Sequence, residues 1–140
     1  MVQTIDVTAR SAADAQTIYR LLADGHTWPA WSPIDSFTPG PDGHTPEAVG
    51  DIRLFRTGRT LSRERIVELV PGRRLSYELL AGLPLRGYRA DVDLTPTDGG
   101  TVIHWQSRFT AKVPGTGPLY RWALGRFIQR CADGLATHAA

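Results

Sequence analysis

Cysteine is nearly missing from this chain of 140 residues: Cys131 is the only one, so no disulfide can close within it. Lysine is just as scarce. Lys112 stands alone, and the other basic groups are arginines scattered from Arg10 to Arg130, with a formal net charge of only +2. A nucleic-acid binder gathers such charge into a patch or a basic helix, so no nucleic-acid partner is expected. No run approaches the roughly 18 apolar residues that a membrane span needs. The opening Met1-Val2-Gln3-Thr4-Ile5-Asp6 lacks the basic start and apolar core of a secretory signal. The cytoplasm is the expected compartment.

Several chemistries lack their motifs as well. His26, His44, His104 and His138 are far apart and form no HxH or HxxxH pair, whereas a catalytic metal needs three converging ligands. No metal is expected. Gly115-Thr116-Gly117 opens a helical segment but lacks the third glycine of a dinucleotide fingerprint, Tyr120 standing in its place, with no parallel βαβ unit around it. There is no GxSxG, and Cys131 falls on an inward helix face as a small apolar filler. No cofactor is expected.

What is present describes a folded protein. A hydrophobic share of 41% with 21% charged residues excludes disorder over most of the length, and 140 residues suit one domain, 1–140. Val2, Ile5 and Val7 mark a β-prone run ending at Ala9-Arg10. Ser11 is then expected to cap a helix, with Asp14 three residues on and Ala15, Ile18, Tyr19 and Leu22 along its buried face. An aromatic stretch, Trp28-Pro29-Ala30-Trp31-Ser32-Pro33, follows, and residues 38–50 read as an exposed loop.

From Asp51 onward strands are expected over about 51–58, 60–70, 73–81, 87–96 and 101–111, with turns at Pro71-Gly72 and Asp98-Gly99-Gly100. Links this short favour antiparallel hairpins. Tyr88, Ala90, Val92 and Leu94 share one face, as do Ile103, Trp105, Ser107 and Phe109. A one-sided sheet must cover its apolar face. Residues 118–137 supply the cover: Pro118 suits a first turn, and Tyr120, Leu124, Phe127, Cys131 and Leu135 form one helical stripe with Ile128 beside them. The class is α+β.

This order, with Trp28-Pro29-Ala30-Trp31-Ser32-Pro33, Val49-Gly50, Glu64-Arg65-Ile66-Val67-Glu68-Leu69, Pro71-Gly72-Arg73-Arg74-Leu75-Ser76-Tyr77 and Gly99-Gly100-Thr101 leading into Trp105, resembles the START-like (Bet v 1-like) superfamily. Within it the chain is similar to the polyketide cyclase/dehydrase group, over almost its whole length. The resemblance implies a helix-grip fold, a curved antiparallel sheet wrapped around a long C-terminal helix with an apolar cavity between them. It also implies a hydrophobic small-molecule partner. The activity it implies is a cofactor-independent cyclase or dehydratase acting on a polyketide-like chain, or else a carrier with no chemistry.

Candidate residues follow from phase and chemistry. Arg63 and Arg65 share strand phase with Leu61, Val67 and Leu69. If that face is inward, two guanidiniums can bind a carboxylate or stabilise an enolate; if Ile66 and Val70 mark the inward face, both arginines are solvated or paired with glutamates. His26, beside the tryptophan segment, is a candidate acid or base at the cavity mouth or a surface histidine. Tyr77 and Tyr88 bring hydroxyls to inward positions, Tyr88 as a candidate donor to the reacting group, although both also serve as core filler. Trp28, Trp31, Phe55, Trp105, Ser107, Phe109, Tyr120, Leu124 and Phe127 complete the expected wall of a cavity of about 300–1,000 Å³. Trp122 points away from the inner stripe and suggests a homodimer contact or a cavity lip.

Overall fold

The computed structural model describes residues 1–140. The alternating segments become one curved antiparallel sheet of seven strands: β1 (Gln3–Ser11), β2 (Ser36–Pro39), β3 (Ile52–Thr57), β4 (Thr60–Val70), β5 (Arg74–Ala81), β6 (Leu85–Thr97) and β7 (Gly100–Ala111). Strands β2 to β7 run as a meander, and β1 joins the far side by pairing with β7. Helix α1 (Ala15–Ala23), the short α2 (Trp28–Trp31) and the long α3 (Gly117–Ala139) account for the helical segments, with a 3-10 turn at Gly25–Thr27 between the first two.

Side-chain alternation decides which face is buried. Tyr88, Ala90, Val92 and Leu94 of β6 and Ile103, Trp105 and Phe109 of β7 turn inward, where α3 meets them with Ile128, Cys131, Ala132 and Leu135. The opposite face is charged: Arg74 clasps Asp93 through Nε at 2.6 Å and Nη2 at 3.1 Å. His104 lies on that outer face, 2.6 Å from Asp6.

Two local expectations need correction. Ser11 is the last residue of β1, not a helix cap; its Oγ donates to the carbonyl of Ala136 at 2.7 Å and so ties the sheet to α3. The cap of α1 is Asp14, whose carboxylate accepts from the Thr17 N–H at 2.9 Å. The stretch expected as loop from residue 38 begins instead inside an edge strand, β2, paired with β3.

Strand β4 departs from strict alternation. Its pairing passes from Ile66 opposite Tyr77 to Glu68 opposite Ser76, so Val67 is an extra residue, a β-bulge. Ile66 and Leu69 therefore both reach the inner side although three residues apart, while Val70 is exposed. With Ile66 inward, Glu64 and Ser62 point inward too, and Arg63 and Arg65 point out.

Candidate functional site

Between the sheet and α3 lies a cavity of about 50 Å³. Trp28 and Ile34 close one side, Tyr77, Tyr88 and Trp105 form the sheet wall, and Leu124, Phe127, Ile128 and Cys131 of α3 lie opposite. Leu79 and Leu83 border it at the end of the β5–β6 hairpin. The expected several hundred Å³ is not there, because the rings pack on one another. Trp28 is 4.6 Å from Trp31, 4.9 Å from Phe55 and 5.7 Å from Trp105, centroid to centroid. Since a single water needs about 10–15 Å³, the cavity has room for only a few.

Its two polar side chains outside the aromatic wall are Ser62 and Glu64. One carboxylate oxygen of Glu64, Oε1, is buried without a hydrogen-bond partner. Removal from water disfavours the charged form and pushes the carboxyl up to about 7, a rise that the positive charge of Arg53 only partly offsets. Glu64 and Arg53 are opposite one another on β4 and β3, but Arg53 bonds elsewhere through two of its three nitrogens, its Nη1 being buried without a partner. Its Nε donates to Glu47 at 2.6 Å and its Nη2 to the Leu22 carbonyl at 2.6 Å, and its guanidinium lies 5.2 Å from the Trp28 ring.

The tyrosines face the same space. Trp105 Nε1 donates to Tyr77 Oη at 3.3 Å. Burial pushes the phenols of Tyr77 and Tyr88, and the thiol of Cys131, well above their ordinary values. All three are protonated at neutral pH: the tyrosines are donors and the cysteine is no nucleophile.

Of the residues picked from sequence, Trp28, Tyr77, Tyr88, Trp105, Leu124 and Phe127 line the cavity together. Trp31, Phe55 and Phe109 stand one layer behind as buried supports. Ser107 is buried with an unpartnered Oγ, and Tyr120 is half-buried against the core; neither borders the cavity. The inward reading of Arg63 and Arg65 is corrected. Both are exposed, and Arg65 pairs with Glu78 at 2.9 Å on the outer surface. His26 is also outside, largely exposed beside Asp24 at 3.3 Å and edge-on to Phe37. No three His, Cys, Asp or Glu side chains converge to hold a metal ion. Glu64, which sequence reasoning passed over, shares its strand phase with Ile66, and that was the available signal.

A long C-terminal helix gripped by a curved antiparallel sheet, with an aromatic cavity between, is the helix-grip fold of the START/Bet v 1 superfamily. Residues 2–140 match the family described as polyketide cyclase / dehydrase and lipid transport, and the chain belongs to it. Solved structures agree on the fold. A START superfamily protein from Mycobacterium smegmatis has a TM-score of 0.82 at 15% identity, over 97% of this chain and 96% of that one. The major latex-like protein of Panax ginseng has a TM-score of 0.78 at 13% identity, covering 100% and 99%. The di-domain aromatase/cyclase StfQ of the steffimycin biosynthetic pathway has a TM-score of 0.77 at 20% identity, over 99% of this chain but only 51% of its own length. Among curated proteins, none matches. No helix is long and apolar enough to cross a membrane.

Proposed function

We propose that the chain binds a hydrophobic, carbonyl-bearing small molecule of polyketide type in this cavity and cyclises or dehydrates it, with Glu64 moving the proton. The observation that carries the reading is the buried, unpartnered Oε1 of Glu64 inside a mostly apolar, aromatic space. A structural carboxylate is ordinarily paired when buried; one left unpaired and poised near neutrality suits general acid–base work. Family membership and the likeness to an aromatase/cyclase support the substrate class.

In this reading the Glu64 carboxylate takes a proton from the carbon next to a carbonyl. Tyr77 or Tyr88 donates a hydrogen bond to the carbonyl oxygen, where negative charge develops. The enolate then attacks a second carbonyl of the same chain and forms the ring carbon–carbon bond. The new alkoxide takes that proton back from Glu64, which restores the carboxylate. Glu64 then takes a second α-proton and returns it to the departing hydroxyl, which leaves as water and completes a dehydration. The sequence is redox-neutral and needs no co-reactant. Confinement of a flexible chain contributes to the rate by holding the reacting carbons near each other.

The substrate is larger than the cavity, so its entry displaces Leu83, Leu124 and Phe127, the side chains on the hairpin end and the half-buried part of α3. The test is product formation from a linear polyketide mimic, with binding followed in parallel. Glu64→Gln should abolish turnover while retaining affinity, and parent turnover should follow a group titrating near 7. A parent that binds the mimic yet converts it only at the background rate would leave a carrier role.

A further inference from the structure

Gln3 stands in the inward phase of β1, alongside Ile5 and Ala9, and is only 5% exposed. Its amide makes no hydrogen bond with any other group of the chain. A buried amide is ordinarily bonded. This one is not sealed in, for it borders a groove of about 330 Å³ that opens at the surface. Its donors and acceptor are therefore free for a ligand from outside.

The other wall of the groove is the start of α3. A Cβ at Gly117 would fall 2.8 Å from Gln3 Nε2, so the glycine is what lets the amide lie against the helix end. That end is uncapped: Thr116 makes no side-chain bond to it, and the first turn has no acidic residue. The N–H groups of Gly117 and Leu119 find no backbone acceptor, and Pro118 between them has no N–H at all. These donors carry the positive end of a 23-residue helix. Just before them, Gly115 at φ +84° leads into Thr116 at φ −93°, and such a change of hand turns successive N–H groups to one side. Ala111, Val113, Pro114 and Pro118 give the rest of the groove an apolar lining, and no charged side chain borders it.

We infer that this groove is a second binding site, which takes a carboxylate with an apolar tail. One carboxylate oxygen accepts from the N–H groups of Gly117 and Leu119, the other from Gln3 Nε2, and the tail lies over Val113, Pro114 and Pro118. Neutral donors at a helix end suit a single negative charge. A phosphate dianion calls for a basic side chain, which the lining lacks. The groove shares no residue with the Glu64 cavity, so the inference does not depend on catalysis there. Since β1 is an edge strand, an occupant fastens the start of α3 to the margin of the sheet.

The experiment titrates the intact chain at pH 7 with octanoate, and in parallel with octanol, which lacks the charge, and acetate, which lacks the tail. Amide resonances are followed by NMR. Octanoate should shift the Gly117 and Leu119 amides and the Gln3 side-chain NH2 saturably and raise the melting temperature. Octanol and acetate should each bind about tenfold more weakly. Gln3→Leu removes one bond to a charged group and should weaken octanoate about tenfold. Gln3→Glu keeps the shape but sets a carboxylate at the helix start. It should raise the melting temperature of the free chain and abolish octanoate binding. Gly117→Ala, which pushes the amide aside, should weaken binding as well. Circular dichroism checks that each variant folds. Absence of a saturable shift, shifts confined to cavity residues such as Tyr88 and Trp105, or octanol binding as well as octanoate overturns the inference. So does octanoate binding unchanged in Gln3→Glu, which would leave Gln3 a structural residue only.

Discussion

Arg53 and Glu64 stand directly opposite each other on β3 and β4, both turned inward, yet Arg53 Nε makes its 2.6 Å ion pair with Glu47 instead. The arrangement holds a fully buried cation beside Trp28 and leaves the cavity carboxylate unpaired. Glu47 also accepts from the Gly25 N–H at 2.6 Å, so it joins the segment before α2 to β3. Removing one partner of a buried pair costs about 3–5 kcal/mol, because the other charge is left uncompensated. Glu47→Ala should therefore lower unfolding stability by that amount in urea titrations. A loss below about 1 kcal/mol would mean that Arg53 turns to Glu64, and Glu64 would then titrate well below 7.

The raised carboxyl of Glu64 makes a signed prediction for stability against pH. Below about 4.5 the group is protonated in both folded and unfolded chains and contributes no penalty. As pH rises towards 7, the unfolded chain loses its proton while the folded one keeps it, so stability falls; above 7 the penalty is complete. A shift from 4.5 to about 7 corresponds to at most about 3 kcal/mol. Glu64→Gln should raise the melting temperature at pH 8 and leave it nearly unchanged at pH 4.5. Equal shifts at both values would show that Glu64 titrates normally.

Turnover should separate the two faces of the sheet. Tyr88→Phe removes a buried donor at the cavity and should slow conversion of a polyketide mimic on the order of 100-fold with little change in affinity. Arg65→Met breaks only an exposed pair with Glu78, worth about 0–1 kcal/mol, and should leave both rate and stability close to the parent. A large rate loss in Arg65→Met would return catalysis to the outer surface.

Two glycines of α3 should respond in opposite directions. A methyl group at Gly134 would run into the carbonyl oxygen of Trp31, where α2 crosses the helix, whereas one at Gly125 meets open space. Gly134→Ala should cost about 1–3 kcal/mol from overpacking, and Gly125→Ala should contribute about 1 kcal/mol of helix propensity. Melting curves of the two variants decide it. Similar shifts would place α2 elsewhere.

Much of this architecture was legible because it depends on near-neighbour rules. Period-two alternation in β6 and β7, the turns at Pro71-Gly72 and Gly99-Gly100, and the stripe through Leu124, Phe127 and Cys131 each report a local preference. Together they implied an antiparallel sheet closed by the final helix. What escaped was whatever depended on a partner strand. The bulge at Val67 arises from how β4 pairs with β5, and it carries Leu69 inward while Arg63 and Arg65 stay outside. Neither strand displays that slip in its own residues. The burial of Arg53 is likewise invisible in β3, since Glu47 and the Leu22 carbonyl approach it from two other parts of the chain. The cavity volume is decided last of all, by how closely Trp28, Phe55 and Trp105 stack once the sheet has curved. Sequence alone determined which residues turn inward in the regular strands, because alternation is a property of each strand. Tertiary structure decided where the charge sits and how much space remains, because packing and Coulomb interactions depend on through-space distances between segments far apart in the chain.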